Sequence, residues 1–290
     1  MTRLLTRRHL ALGLTTLVGT ASIPAWLAHA APGEAAIAAI EARHGGRLGV
    51  FVLDTGSGRT LAHRADERFL LASTFKGLLA AMLLSRVDAG RDALDNPVRY
   101  GAKDLLPASP VTTAHVQQGV LTVGELTAAI LQYSDNTAAN LLLARVGGPA
   151  GLTAYVRGLG DPVTRLDDDE PNVGIRRGDL DTTTPRAIVG SARTVLLGNA
   201  LGVGARTQLE RWMDSNVVGR TRLRAAFPPA WTAGDRTGTA DGICNDYAIA
   251  RRPGKPPLLM AAYYDAPGQE MAPQEAVLRE VGRAIVAWAG

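Results

Sequence analysis

The chain has 290 residues, 46% of them apolar, which is ordinary for a globular protein and enough for one large domain or two small ones with a sizeable core. Its formal charge of +4 comes from 31 basic and 27 acidic residues, and three of the basic ones lie in the first eight positions, so the rest of the chain is nearly neutral. That balance gives no reason to propose a nucleic-acid or membrane-surface partner. The one cysteine, Cys244, rules out an internal disulfide and reads as a small core residue. The five histidines show neither HExxH nor paired spacing, so no metal or other cofactor is expected.

Residues 1–30 carry Arg3, Arg7 and Arg8, then an apolar run from Leu10 to Leu27, then Ala28-His29-Ala30. Basic, apolar and small-residue regions in that order read as a removable signal peptide, and Thr6-Arg7-Arg8-His9-Leu10 resembles a twin-arginine export signal. Export to the periplasm or the medium is expected, leaving a mature catalytic domain of residues 31–290.

Residues 34–44 have helical apolar spacing. Leu48 to Asp54 reads as a strand, closed by the turn Thr55-Gly56-Ser57-Gly58. Helical patterns then dominate over 74–89, 123–132, 138–145 and 185–198, the last with Thr184 as N-cap and Pro185 at the first helical position. Between them, Asp167 to Asp181 is acidic and aperiodic and is expected to be a long surface loop. Tyr247 to Arg251 and Leu258 to Tyr264 are β-rich runs about a Pro-Gly turn, and residues 276–289 form a terminal amphipathic helix. No internal repeat is present. The expected fold is therefore α+β: an antiparallel sheet built from both chain ends and flanked by helices, with an inserted all-helical part over roughly 70–215 and an active site at the seam.

Three short clusters carry chemistry. Ser73-Thr74-Phe75-Lys76 places a hydroxyl and an ammonium three residues apart, on one face if Ser73 begins a helix. Serine is a poor nucleophile unless a neighbour takes its proton, and a lysine shielded from water can do so. In isolation the same pattern reads equally as a capping serine with a surface lysine. Ser134-Asp135-Asn136 follows a helical pattern about sixty residues on, and Arg236-Thr237-Gly238-Thr239 precedes the β-rich end. Each alone could be a cap or a turn; three such signals in this order and spacing, in an exported chain of this size, do not arise easily by accident. No GxSxG elbow occurs, which disfavours a Ser-His-Asp hydrolase.

With these motifs the chain resembles the serine penicillin-recognising enzymes and, among them, the class A β-lactamases. The resemblance extends over FLLASTFKG (69–77), TVGELTAAILQYSDNTAANLLL (122–143), TRLDDDEP (164–171), DTTTP (181–185), RLRAAFP (222–228) and GDRTGT (234–239). It implies that Ser73 is the nucleophile, Lys76 its proton partner and Ser134 the proton carrier to the leaving nitrogen. Asn136 would bind the substrate amide, and the backbone N–H groups of Ser73 and Thr239 would form the oxyanion hole. Arg236, Thr237 and Arg222 would hold the substrate carboxylate, and Gly238 would let the ligand approach the strand. Glu170 would activate the water that clears the acyl-enzyme. A small-molecule β-lactam is the implied substrate, and a monomer is expected.

The chain departs from the family pattern at several positions. Arg236 stands where lysine is usual, as in carbenicillin-hydrolysing members. Gly174 replaces an asparagine that helps to hold the water, unless Asn172 substitutes for it. Asp168 stands where an arginine commonly pairs with the match of Asp181, leaving Arg176 or Arg177 to close the loop. Ala108 takes the place of a rim aromatic, and Ala72 with Ala240 excludes the disulfide of carbapenem-hydrolysing relatives. Two competing readings share Ser73 and Lys76: a D-alanyl-D-alanine peptidase, and a penicillin-binding protein that stays acylated.

Overall fold

A computed structural model describes residues 32–290; the leader expected over residues 1–30 lies outside them. The described chain runs α1 (Pro32–His44), β1 (Arg47–Asp54), β2 (Thr60–His63), β3 (Phe69–Leu70), α2 (Phe75–Asp88), β4 (Pro97–Arg99), α3 (Pro110–Ala114), β5 (Val120–Thr122), α4 (Val123–Gln132), α5 (Asn136–Arg145) and α6 (Gly148–Gly158). It continues with β6 (Thr182–Thr183), α7 (Pro185–Leu196), α8 (Val203–Asp214), β7 (Thr232–Ala240), β8 (Ile243–Arg252), β9 (Lys255–Asp265) and α9 (Met271–Ala289).

Five strands form one antiparallel sheet in the order β2-β1-β9-β8-β7. The chain ends meet where β1 pairs with β9, from Arg47 opposite Asp265 to Asp54 opposite Leu258. Side chains alternate across a strand, and here both faces are covered. Val50, Val52, Met260 and Ala262 pack with Ile37 of α1 and with Leu278 and Val281 of α9. Phe51, Leu259, Ala261 and Tyr263 pack with Leu79 of α2, Ile130 of α4 and Ile188 of α7. Burial on both faces explains why β9 reads as an unbroken apolar run.

Helix α2 is buried almost all round, from Phe75 to Leu84, and forms the centre of the helical layer. The ends of α4 and α7 follow from capping. Thr122 and Glu125 form a reciprocal capping box, and the Thr184 hydroxyl accepts from the Ala187 amide. Helix α7 stops at Leu196, two residues short of the expected end, and α5 starts at Asn136 rather than 138 because Asp135 caps it. The sequence reading did not foresee β7 as a full strand. Its run TAGDRTGTA has no apolar alternation and is extended because it pairs with β8 over nine positions. Strand β7 is an edge of the sheet, and its free side borders the cleft.

Candidate active site

Ser73 lies in a one-turn 3-10 segment, Ala72–Thr74, and not at the first position of α2, whose N-cap is Thr74. The turn is held from the sheet. The Asn245 amide of β8 donates to the Leu70 carbonyl at 2.8 Å, and the Tyr263 hydroxyl of β9 donates to Thr74 Oγ1 at 3.0 Å. Ala72 adopts φ +42°, a left-handed conformation that strains a residue with a Cβ. Gly238 lets this turn press against β7: a Cβ there would lie 2.7 Å from the Leu71 carbonyl oxygen. Its missing side chain thus makes room for the serine turn, whereas the sequence reading had assigned that space to a ligand.

Lys76 is fully buried, which excludes its reading as a surface lysine. Its Nζ donates to Ser73 Oγ at 3.0 Å, to the Ser134 carbonyl at 2.9 Å and to Asn136 Oδ1 at 2.6 Å, and it lies 2.8 Å from Glu170 Oε1. Burial lowers its pKa to about 8, against the pull of the Glu170 carboxylate and with the help of the Arg236 charge. Ser73 Oγ also donates to Glu170 Oε1 at 3.2 Å. The nucleophile candidate therefore touches two potential bases.

Ser134 turns the chain from α4 into α5 with φ +61°. Asp135, between the two site residues, is fully buried and structural: its oxygens accept from the amides of Val111, Thr112 and Ala138 and from the Thr112 hydroxyl. Asn136 donates to the Pro107 carbonyl at 3.1 Å, so both ends of its amide are committed. Glu170 is held by a residue that the sequence reading did not single out. Asn140 of α5 accepts from the Glu170 amide at 2.9 Å and donates to its carbonyl at 2.8 Å. Only its place one helical turn beyond Asn136 could have drawn attention to it.

The acidic segment 167–181 is irregular, as expected, with one 3-10 turn at Asn172–Gly174. Arg177 takes over the closure of the loop: it pairs with Asp168, and its guanidinium lies 3.6 Å from Asp181. Asn172 is exposed and absent from the cleft wall, so it does not replace the missing asparagine. At Gly174 a Cβ would lie 2.9 Å from that of Ala240, so the loop rests directly on β7.

Arg236 is fully buried, with Nη2 donating to Ser134 Oγ at 2.6 Å and Nη1 to Thr237 Oγ1 at 3.1 Å; its Nε has no partner. Burial lowers its pKa to about 10, so it stays charged at neutral pH. Arg222 sits behind the strand and not in the cleft. It donates to the carbonyls of Gly238 and Asn245 at 3.0 and 2.8 Å and to Thr239 Oγ1 at 2.6 Å. Its reach into the site is through the Thr239 hydroxyl.

Ser73, Ser134, Asn136, Glu170, Thr237 and Thr239 together line a cleft of about 450 Å³, with Ala108 exposed at its edge. Ala72 and Ala240 both border it, and Cys244 is a buried free thiol in the core. A groove of about 340 Å³ over Asp161 and Ser191 is a different matter. There the polar groups satisfy one another, Ser191 Oγ donating to Asp161 Oδ2 at 2.9 Å.

Comparison with known proteins agrees with this architecture. Residues 32–289 match the profile of the beta-lactamase enzyme family. The chain is 45% identical over 250 residues to the carbapenem-hydrolyzing beta-lactamase KPC of Klebsiella oxytoca, covering 85% of each protein. It is 43% identical to beta-lactamase AST-1 of Nocardia asteroides, over 92% of this chain and 88% of that one. Among solved structures, a beta lactamase from Burkholderia vietnamiensis superposes with a TM-score of 0.89 at 57% identity, covering 91% of this chain and 98% of that chain. A reconstructed Gram-negative ancestral class A beta-lactamase gives 0.87 at 47% identity, covering 90% and 100%.

Proposed function

Since the chain belongs to the class A serine β-lactamases and hydrolyses β-lactam antibiotics, the activity by which this family confers resistance, we propose that Ser73 carries the acyl group and that Glu170 directs the water that removes it. The observation that carries this reading is the position of Lys76 Nζ, within 3.4 Å of polar atoms on Ser73, Ser134, Asn136 and Glu170. One buried amine thereby links the proposed nucleophile, the proton carrier, the amide-binding asparagine and the water-directing carboxylate.

In acylation, Ser73 Oγ loses its proton to Lys76 or Glu170 and attacks the lactam carbonyl. The developing oxyanion is received by the amides of Ser73 and Thr239, at about 3 kcal/mol per donor. The lactam nitrogen takes a proton from Ser134, whose hydroxyl lies between the Lys76 and Arg236 cations. The substrate carboxylate is held by Arg236 and Thr237. Arg222 acts on it through Thr239, which it orients. Asn136 takes the substrate amide. In deacylation Glu170, fixed by Asn140 at both backbone atoms, accepts a proton from the attacking water.

The purified enzyme is expected to turn over nitrocefin and benzylpenicillin many times. Glu170→Ala is expected to stop after one equivalent, with an intact-mass gain equal to one penicilloyl group. A stoichiometric adduct on the wild type would mean a penicillin-binding protein, and cleavage of a D-alanyl-D-alanine peptide a peptidase. For the whole chain, we place an export leader at residues 1–30, read by the twin-arginine route, and a monomeric catalytic domain at 31–290 acting in the periplasm or outside the cell. Among the described residues no helix is long and apolar enough to cross a membrane. The mass of the secreted protein tests the leader.

A further inference from the structure

Among the described residues four large apolar side chains stand well exposed: Tyr133, Ile175, Val203 and Val217. Ile175 is 51% exposed and lies in the wall of the catalytic cleft. Val218, next to Val217, adds a second apolar surface to the same cleft. An isoleucine left half in water at the mouth of a binding site gains when a ligand covers it.

Its position is fixed from both sides. On one side Gly174 rests against Ala240 of β7, and the Ile175 amide donates to the Asn172 carbonyl at 2.9 Å. On the other side Arg176 spans from the loop to the sheet. Its Nη1 donates to the Asp241 carbonyl at 3.2 Å, in the β7–β8 turn, and its Nη2 to Asp265 Oδ1 at 2.5 Å, at the end of β9. Arg47 lies 3.6 Å from the other oxygen of Asp265 and steadies that anchor. The isoleucine is thus presented by its neighbours and does not have to be ordered by the substrate, which lowers the entropic cost of using it.

We infer that Ile175, presented by Arg176, is a specificity residue that covers the apolar acyl side chain of the β-lactam, so that substrates with aryl or alkyl side chains are favoured over those with none. Arg176 is a positioning residue and does not itself touch the substrate. This rests on the hydrolytic reading of the site, and the two are separable because 6-aminopenicillanic acid has the lactam ring but no acyl side chain.

The test is the ratio of kcat/KM for benzylpenicillin to kcat/KM for 6-aminopenicillanic acid. Ile175→Ser is expected to lower it about tenfold, the range typical of one lost apolar contact in a pocket. Arg176→Ala is expected to lower it by a smaller factor, with Arg176→Lys recovering part of the loss. In the double variant the two losses are expected to be less than multiplicative, because both act through one side chain. An unchanged ratio in Ile175→Ser overturns the inference, as does an equal fall on both substrates. A ratio sensitive to Ile175 but indifferent to Arg176 overturns the positioning role. Failure of the wild type to turn over either compound would instead refute the hydrolytic reading.

Discussion

Of the two bases proposed for acylation, Lys76 and Glu170, the first makes a prediction that its own protonation state decides. Burial holds its pKa at about 8, while the Glu170 carboxylate pulls it up and the Arg236 guanidinium pushes it further down. Only the neutral amine can take the Ser73 proton, and its fraction grows as pH rises through that value. Single-turnover acylation by benzylpenicillin is therefore expected to climb between pH 6 and 9 and level above. Replacing Glu170 by Gln removes the charge that favours protonated Lys76, so the same limb should move to lower pH. Arg236 cannot be its source, because its pKa near 10 keeps it cationic throughout. Stopped-flow acylation rates of wild type and Glu170→Gln check this. A limb that stays in place when the carboxylate is lost, or a flat profile in both proteins, would take Lys76 out of the role of base.

The loop 167–181 shows how a charge arrangement can be rebuilt at other positions. Asp181 is fully buried, and burial raises its pKa, opposed by amide donors and by the Arg177 charge. Its Oδ1 accepts from the amides of Asp167 and Asp168 at 2.8 and 3.0 Å, which ties the first turn of the loop to its last residue. Oδ2 has no hydrogen bond, and the guanidinium of Arg177 lies 3.6 Å from it. Arg177→Ala leaves that oxygen and Asp168 without their cation. Because Arg177 is 43% exposed, the expected loss is about 1–2 kcal/mol at pH 7, below the range for a fully buried pair. The sign of its pH dependence is fixed. The folded-state pKa of Asp181 already lies above the usual value and would rise further, so the folded protein takes up the proton first as pH falls, and the deficit shrinks toward pH 5. Urea denaturation at the two pH values measures it. Glu170 rides on this loop, so quenched mass spectra of the variant at steady state should also show more acyl-enzyme than the wild type. An equal deficit at both pH values without such accumulation would remove Arg177 from the closure.

At the scale of the molecule, the parts legible in the sequence are those specified locally. Strand β1, helices α4 and α7, and the β8–β9 hairpin announce themselves by period, caps and a Pro-Gly turn, and most of the candidate site residues by three motifs, whereas Glu170 and Arg222 came only with the family resemblance. What stayed hidden depends on contacts between distant segments: the edge strand β7, the Asn140 clamp on Glu170, the place of Arg222 behind the strand, and the approach of the serine turn to Gly238. A further hidden feature joins the sheet to the turns between α8 and β7. Asp235 and Asp246 are both fully buried, and the β7–β8 register, with Thr237 opposite Asp246, makes them diagonal neighbours on one face. Asp235 accepts from Asn216 at 2.7 Å and lies 3.2 Å from Arg224. Asp246 accepts from the Leu223 amide at 3.3 Å, with Oδ1 unpartnered. Burial raises the pKa of both, Asp235 to about 6, and the Asp235 charge pushes Asp246 up as well. Folded-state values above the unfolded ones mean that the folded protein holds more protons, so the contribution of this pair to stability is greatest below about pH 4, falls as pH climbs toward 6 for Asp235, and goes on falling above that for Asp246. Asp246→Asn keeps an acceptor for the Leu223 amide and removes one buried charge. It is expected to raise stability by about 1–2 kcal/mol at pH 8 and by little at pH 4, read from urea midpoints. Equal destabilisation at both pH values would mean that Arg222 and Arg224 require the Asp246 charge, and that this joint is held by an ionised carboxylate.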